Sequence, residues 1–171
     1  MALEIERKFL LKQIPNRAPD KHYEIKQYYC EDKKSERNFR LRHITWWENE
    51  GKTKKEQYIE TVKRRIKPGV YEENETELSI SEFQTRMKYA KSYLIKSRYI
   101  YIVSKKLKWE IDIFSEMRLV LAEIEIPKMN YKIKIPDYIK DVLIMEVTKF
   151  DEFTNKALAS SIKKMYQKYG N

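Results

Sequence analysis

Glycine is scarce in this chain, which carries 3 glycines among its 171 residues. Glycine-rich phosphate-binding loops, such as the dinucleotide fingerprint and the P-loop, need glycine because the backbone must approach a phosphate closely. The sequence contains neither loop. If this protein binds phosphate, its side chains must therefore do so.

Cysteine and long apolar runs are also nearly absent. Cys30 is the only cysteine, which excludes an intramolecular disulfide and a cysteine-rich zinc site. We expect it to be a small buried residue. No apolar stretch reaches the length of a membrane span. The N-terminal segment mixes acidic and basic residues, unlike a signal peptide, so we expect a cytoplasmic protein.

Positive charge dominates the composition. Lysine and arginine number 36 against 26 acidic residues, a formal net charge of +10, and 42% of the residues are hydrophobic. That apolar content and length predict one domain spanning residues 1–171. The charge indicates an anionic partner, which could be nucleic acid, a membrane surface or a phosphorylated small molecule.

An alternation with a period of two residues predicts that most of the chain is β-strand. The predicted strands are 3–12, 23–30, 37–46, 56–66, 75–80, 96–104, 107–114, 118–126 and 143–148. Apolar stripes at helical spacing predict helices over 81–94 and 153–169, capped by Ser79 or Ser81 and by Thr154. Together they predict a mainly β (α+β) fold, an antiparallel barrel or highly curved sheet with helices against its outer side.

Like-charged residues recur two positions apart on the predicted strands, so each pair shares one face of its strand. The acidic pairs are Glu4/Glu6, Glu75/Glu77, Glu110/Asp112 and Glu123/Glu125, and the basic pairs are Arg40/Arg42 and Lys96/Arg98, with Lys8 and Lys63 on matching faces. The residues between them are often apolar: Ile5, Leu41, Val62, Ile111 and Ile124. If helices cover these apolar faces, the charged faces point into the barrel and form a charged lumen.

Such a lumen is energetically costly unless its charges are paired or ligated. Carboxylates on adjacent strands are hard oxygen ligands that suit Mg²⁺ or Mn²⁺. Arginine and lysine donate charge-assisted hydrogen bonds to phosphate oxygens. An interior that holds both sets is chemically matched to a complex of metal and polyphosphate.

The ordered set of motifs resembles one known family. Glu4-Ile5-Glu6-Arg7-Lys8 resembles the ExExK signature of CYTH-domain proteins, the triphosphate tunnel metalloenzymes. The likeness continues in order through Gln27-Tyr28-Tyr29, Arg40-Leu41-Arg42, Thr61-Val62-Lys63, Glu75-Thr76-Glu77, Lys96-Ser97-Arg98, Glu110-Ile111-Asp112, Glu123-Ile124-Glu125 and Glu146-Val147-Thr148. The chain departs from the family at Tyr28 and at Arg64-Arg65, where the family often has glycine.

The resemblance implies an eight-stranded antiparallel closed barrel, a tunnel that holds triphosphate, with a C-terminal helix. It implies one or two Mg²⁺ or Mn²⁺ ions held mainly by Glu4, Glu6, Glu123 and Glu125, with Glu75 and Glu77 nearby. Phosphate oxygens would be bound by Lys8, Arg40, Arg42, Lys63, Lys96 and Arg98. Lys8 and Tyr29 are predicted to handle protons, because a lysine among cations can have a lowered pKa, and Glu110 and Asp112 to serve as catalytic carboxylates.

The function expected from this resemblance is divalent-metal-dependent hydrolysis of a linear triphosphate, either inorganic or nucleoside-linked. Two alternatives share the same motifs: cyclisation of ATP to cyclic AMP, as in class IV-type adenylate cyclases, and non-catalytic polyphosphate binding. A basic stretch at 63–67 lacks a recognisable nucleic-acid reading motif. We therefore expect no nucleic-acid or membrane partner and leave a homodimer open.

Overall fold

A computed structural model of the protein describes residues 2–170. Its strands are β1 (Ala2–Leu11), β2 (Lys21–Asp32), β3 (Arg37–Glu48), β4 (Thr53–Lys67), β5 (Val70–Glu77), β6 (Ala90–Ser104), β7 (Leu107–Phe114), β8 (Leu119–Glu125) and β9 (Leu143–Glu146). Its α-helices are α1 (Ile80–Arg86), α2 (Asp137–Lys140) and α3 (Asn155–Tyr169). Short 3₁₀ turns cover Met87–Tyr89, Ser115–Met117 and Asp151–Phe153.

The strands form one antiparallel sheet that closes on itself. Its order is β5-β4-β3-β2-β6-β7-β8-β1-β9, and an additional pairing of β1 with β5 closes the barrel. The first residues of β1, from Ala2 to Ile5, pair with β5, whereas Phe9 to Leu11 pair with β9. Strands β1 to β8 therefore make the closed eight-stranded barrel that the family resemblance implies, and β9 is an extra strand beside it.

Apolar side chains pack on the outside of the barrel. Ile5, Ile111 and Ile124 belong to one buried cluster together with Ile126, Ile139 and Val142 from the segment that follows β8. Leu41 belongs to a second cluster with Phe83 of α1, and Val62 packs against that cluster. The predicted outward orientation of these five residues is confirmed, because each packs against an element that covers the barrel wall.

Helix α3 covers one end of the barrel, whereas α1 packs on the outer side, so the prediction that the helices pack against the outer side is wrong for α3 only. Its residues Leu158, Ala159 and Ile162 pack with Leu94, Phe114 and Leu121. These last three lie two positions from Lys96, Asp112 and Glu123 on their own strands, so they share the inner face. The inner face is apolar at this end, which provides the surface that the apolar stripe of α3 buries.

The helix predicted over 81–94 is shorter than expected. Helix α1 ends at Arg86, and β6 begins at Ala90 after a 3₁₀ turn. Leu94, the last residue of the predicted helix, lies in β6 opposite Gln27 of β2. Pairing with β2 satisfies the backbone of these residues, and this tertiary interaction overrides the local helical pattern. Strand β5 likewise begins at Val70 rather than at position 75.

The predicted helix caps are confirmed. The Ser79 hydroxyl accepts a hydrogen bond from the backbone N–H of Glu82, whose carboxylate in turn accepts from the backbone N–H of Ser79, forming a capping box. The Thr154 hydroxyl accepts from the backbone N–H of Ala157 at the start of α3. Among residues 2–170, no helix combines the length and the apolar character needed to cross a membrane.

Candidate functional site: a charged tunnel

A cavity of about 760 Å³ occupies the interior of the barrel. Lys8, Arg40, Arg42, Lys63, Lys96 and Arg98, the six residues predicted to bind phosphate, all line it. The first turn of α3 also borders the cavity through Asn155 and Lys156. Alternation along each strand turns the basic side chains inward, as the sequence predicts. The volume lies within the range that holds a small organic ligand.

Arg40 and Arg42 are cations of this cavity whose guanidinium groups are only partly hydrogen-bonded. Arg40 donates to Glu73 at 3.1 Å and to Thr61 at 3.2 Å, and Arg42 donates to Glu75. The Nε–H groups of both arginines are buried and have no hydrogen-bond partner among the described residues. Burial, and then the positive charge of Arg40, lower the pKa of Arg42 to about 10. An anion placed here would satisfy both groups.

Lys63 is surrounded by carboxylates. Its ammonium contacts Glu4, lies 3.4 Å from Glu6 and lies 3.1 Å from Glu73. Although burial acts to lower the pKa of Lys63, the charges of Glu6 and Glu4 raise it above its ordinary value. Lys63 is therefore a charged residue that already neutralises the acidic side of the tunnel.

Lys8 does not have the lowered pKa expected of it. Its ammonium lies 2.8 Å from Glu123 and donates to the carbonyl oxygen of Phe153 at 3.2 Å. Burial acts to lower the pKa of Lys8, but Glu123 and Glu6 raise it above its ordinary value. The lowered pKa, at about 8, belongs to Lys96, because burial and then Arg98 disfavour its charge. The expectation for Lys8 was wrong because it assumed that cations surround this lysine, whereas the acids Glu123 and Glu6 lie near its ammonium.

Asp112 lies between two of the tunnel cations. Its carboxylate accepts from Lys96 Nζ at 2.6 Å, from Arg98 Nε at 2.6 Å and from Arg98 Nη2 at 2.7 Å. Arg98 also donates to Glu110 and, at 3.2 Å, to Glu123. This group is one connected network of charges, in which Glu110, Asp112 and Glu123 are each held by a cation.

A second, small cavity of about 40 Å³ is lined by the carboxylates of Glu6, Glu110, Glu123 and Glu125 and by Lys108. Glu6 is opposite Glu125, and Glu110 is opposite Glu123, in the sheet register. Burial, and then the charge of Glu110, raise the pKa of Glu125. Glu6, Glu110 and Glu123 each pair with a cation, whereas Glu125 has no ion pair with any described residue. All four present carboxylate oxygens, the kind of ligand that Mg²⁺ and Mn²⁺ prefer.

The donor chemistry fits a divalent cation, but the donors are not assembled around a common point. Among residues 2–170, no group of three or more acidic, histidine or cysteine side chains is placed to hold a metal ion. Glu4, Glu6 and Glu123 face Lys63 and Lys8 instead. A metal would take over the neutralising role that these lysines have here.

The pair Glu75/Glu77 is the least enclosed of the predicted acidic pairs. Glu75 binds Arg42, whereas Glu77 lies exposed at the end of β5. The neighbouring Glu73, which belongs to none of the predicted pairs, contacts both Arg40 and Lys63. Glu73 lies two positions before Glu75, so the same alternation could have identified it.

Tyr29 lies inside the tunnel as predicted. Its hydroxyl accepts a hydrogen bond from Gln27 Nε2 at 2.6 Å, and Gln27 is almost completely buried. Burial raises the pKa of Tyr29 to about 12, so the phenol is neutral and can donate its proton in a hydrogen bond. Cys30 is buried, and burial raises the pKa of its thiol to about 12, as expected of an unreactive cysteine.

Comparison with solved structures identifies the fold. A structure described as the inorganic triphosphatase NE1496 matches with a TM-score of 0.58 and 23% sequence identity, covering 93% of this chain and 95% of that chain. PH1819 from Pyrococcus horikoshii OT3 matches with a TM-score of 0.58 and 12% identity, covering 94% of this chain and 99% of that chain. This chain has the same closed β-barrel fold as these two structures.

A third tunnel structure is more distant. HpAC1 from Hippeastrum, an adenylyl cyclase candidate described as revealing a dominant triphosphatase activity, matches with a TM-score of 0.50 and 14% identity, covering 73% of this chain and 80% of that chain. No protein-family model and no curated protein sequence matches the chain. The tunnel architecture expected from the motifs is therefore confirmed by structure, across sequences that share few identical residues.

Proposed function

We propose that this protein hydrolyses a linear triphosphate inside its tunnel with the help of a divalent metal ion. The observation that carries the proposal is the pair Arg40 and Arg42, whose buried Nε–H groups lack partners and whose positive charges lie close together. Glu73 and Glu75 pair with these arginines but leave both Nε–H groups unsatisfied, and a buried donor without a partner has a free-energy cost. A polyanion in the cavity would remove that cost.

The distribution of charge supports a substrate with several phosphates. Cations line the cavity from Arg40 and Arg42 on β3 to Lys96 and Arg98 on β6. A single phosphate cannot contact all of these side chains, whereas a linear triphosphate offers oxygens along its length. NE1496 is described as an inorganic triphosphatase and HpAC1 as having dominant triphosphatase activity, which agrees with hydrolysis of this substrate class.

The metal is proposed to bind on the acidic side of the tunnel. Glu4, Glu6, Glu123 and Glu125 would hold it, with Glu110 nearby. A bound Mg²⁺ or Mn²⁺ supplies charge neutralisation on the phosphate oxygens and activation of a water molecule. Phosphoryl transfer needs alignment and neutralisation of charge more than covalent catalysis, and both are properties of this lining.

The side chains of the tunnel would bind the phosphate oxygens, donate hydrogen bonds and orient the attacking water. Arg40 and Arg42 would bind the phosphate oxygens through their unpartnered N–H groups. Tyr29, with its raised pKa, would donate a hydrogen bond and not accept a proton from water. Glu110 is ionised, because Arg98 and Lys108 lower its pKa in spite of the burial that acts to raise it. It is therefore able to accept a hydrogen bond from the attacking water.

The experiment that tests the proposal measures products from several substrates in parallel. Purified protein with Mg²⁺ or Mn²⁺ is incubated with tripolyphosphate, ATP, thiamine triphosphate and a monophosphate ester, and both phosphate and cyclic AMP are measured. We expect phosphate release from a linear triphosphate and little from the monophosphate ester. Cyclic AMP without phosphate release would favour the cyclase, and binding without turnover would favour a non-catalytic module.

A further inference from the structure

Lys96 and Arg98 line the tunnel cavity, whereas Asp112, the acid that binds both of them, does not. Asp112 lies behind the two cations and is fully buried. Lys96 and Arg98 lie two positions apart on β6, and Arg98 is opposite Asp112 in the register of β6 with β7. The three side chains therefore lie next to each other on the inner wall, with the acid screened from the cavity.

The geometry at Asp112 uses both carboxylate oxygens. Oδ1 accepts from Arg98 Nε at 2.6 Å, and Oδ2 accepts from Arg98 Nη2 at 2.7 Å and from Lys96 Nζ at 2.6 Å. Two parallel bonds to one guanidinium set the orientation of its plane as well as its position. Aspartate has few rotatable bonds, so this anchor loses little conformational entropy on burial.

The other acids near Arg98 are weaker anchors. Glu110 accepts from Arg98 but is shared with Lys108, whose side chain is 53% exposed. Glu123 accepts from Arg98 at 3.2 Å and is shared with Lys8 at 2.8 Å. Both line the small acidic cavity, whereas Asp112 does not. Only Asp112 directs its whole carboxylate at Lys96 and Arg98.

We propose that Asp112 is a positioning residue that acts through Arg98 and Lys96, and that it neither ligates a metal nor activates water. It fixes the plane of the Arg98 guanidinium and the place of the Lys96 ammonium on the cavity wall. This inference rests on the proposed function, because these two cations face the triphosphate in the tunnel. It replaces the catalytic role that the family resemblance implies for Asp112.

A double-mutant cycle between Asp112→Asn and Arg98→Ala tests the inference. The readouts are kcat/KM for tripolyphosphate and its dissociation constant measured by calorimetry. We expect Asp112→Asn alone to lower kcat/KM about 100-fold, since small misplacements of binding groups have effects of this size. In the Arg98→Ala background, the same substitution should lower kcat/KM and affinity by about tenfold or less, because only its contact with Lys96 is then lost. Equal losses in both backgrounds would show that Asp112 acts directly and would overturn the inference.

A matched control separates positioning from folding. Glu60 is also a buried carboxylate between two cations, Arg37 and Arg86, but it lies on the outer face of β4. Glu60→Gln should lower the melting temperature as Asp112→Asn does, yet leave kcat/KM unchanged. If the two variants lose activity in the same proportion, the effect of Asp112 is merely structural and the inference is wrong.

A second variant covers the case in which Asp112→Asn fails to fold. Arg98→Lys keeps the positive charge but cannot engage both oxygens of Asp112. We expect it to lower kcat/KM at least tenfold, and a wild-type value would overturn the inference. The proposed function has a separate test, because it fails if the wild-type protein does not hydrolyse triphosphate. If the wild-type protein does not hydrolyse triphosphate, the dissociation constants of the same double-mutant cycle still test the role of Asp112.

Discussion

The carboxyl groups of Glu4 and Glu73 share one cation, Lys63, at the seam where β1 meets β5 and closes the barrel: the Lys63 ammonium contacts Glu4 and lies 3.1 Å from Glu73. Burial, and then the neighbouring Glu73 carboxyl, raise the pKa of Glu4 to about 8. The pKa of Glu73 falls below its usual range, because the neighbouring Glu4 carboxyl and the charge of Arg40 outweigh the effect of burial. One proton is therefore retained at the seam near neutral pH.

This shared proton predicts how the stability of the metal-free protein changes with pH. A raised pKa stabilises the fold fully below the unfolded value of 4.5, and this stabilisation is lost as pH rises through about 8. Glu73, whose pKa is lowered, keeps its contribution throughout this window. We expect Glu4→Gln, which keeps a neutral donor, to be more stable than wild type at pH 9 by about 1 kcal/mol or more, roughly 2–4 °C in Tm.

Thermal unfolding at pH 6 and pH 9 in the presence of a chelator measures this difference. Glu72→Gln provides the control, because Glu72 is next to Glu73 on β5 but points to the outer face of the barrel, where it binds Arg64. If wild type and Glu4→Gln lose stability equally between the two pH values, the carboxyl pair does not share a proton.

Removal of Arg42 should separate activity from stability. Arg42→Ala is expected to lower the rate of triphosphate hydrolysis roughly 100-fold, as the loss of an electrostatic stabiliser commonly does. The same substitution should raise the Tm of the ligand-free protein, because it removes a buried cation that Arg40 repels. Phosphate release and thermal unfolding measure the two effects, and Arg64→Ala, on the exterior, should change neither markedly. A lower Tm together with unchanged activity would contradict the role of Arg42 as an anion ligand.

Loss of a single carboxylate of the proposed metal site should weaken metal binding and abolish most of the metal-dependent activity. Glu6 lies between Lys63 and the small acidic cavity. Glu6→Ala is expected to abolish most Mg²⁺- or Mn²⁺-dependent hydrolysis and to leave the circular dichroism spectrum unchanged, since one acid fewer reduces repulsion in the metal-free tunnel. Titration of metal by calorimetry should show weaker binding. Hydrolysis by Glu6→Ala at the wild-type rate would exclude Glu6 from the metal site.

Gly69 holds the closing turn against β1. Its φ of +71° lies in the left-handed region, and a Cβ there would lie 2.6 Å from the carbonyl oxygen of Glu6 and 2.8 Å from Thr148 Cγ2. Gly51 also has a positive φ, of +85°, but has open space around it. Both alanine substitutions should cost about 1–2 kcal/mol of backbone strain, and Gly69→Ala about 1–3 kcal/mol more from the clash.

Chemical denaturation of the two glycine variants measures this difference in stability. Because the Glu6 N–H donates to the Gly69 carbonyl at 2.8 Å, Gly69→Ala should also lower activity by displacing Glu6. Equal stability of the two variants would show that the turn adapts without strain.

The barrel and the identity of most tunnel residues could be predicted from local sequence. A period of two places Glu4, Glu6 and Lys8 on one face, because successive side chains of a strand point to opposite sides. The same rule places Ile5 on the outer face, where it is buried. Leu94 was wrongly predicted to be helical, since an apolar residue at that spacing suits a helix or a strand until its pairing partner is known.

The partners of each charge could not be predicted in this way. Glu73 contacts Arg40 and Lys63 because β5 lies between β4 and β1, and Lys8 has a raised pKa because β8 places Glu123 beside it. The sequence by itself determined which side chains face the tunnel, through the alternation of each strand. Only the tertiary structure decided which carboxylate neutralises each cation and which N–H groups remain free for an anion, because strand register and closure bring together charges that are far apart in the chain.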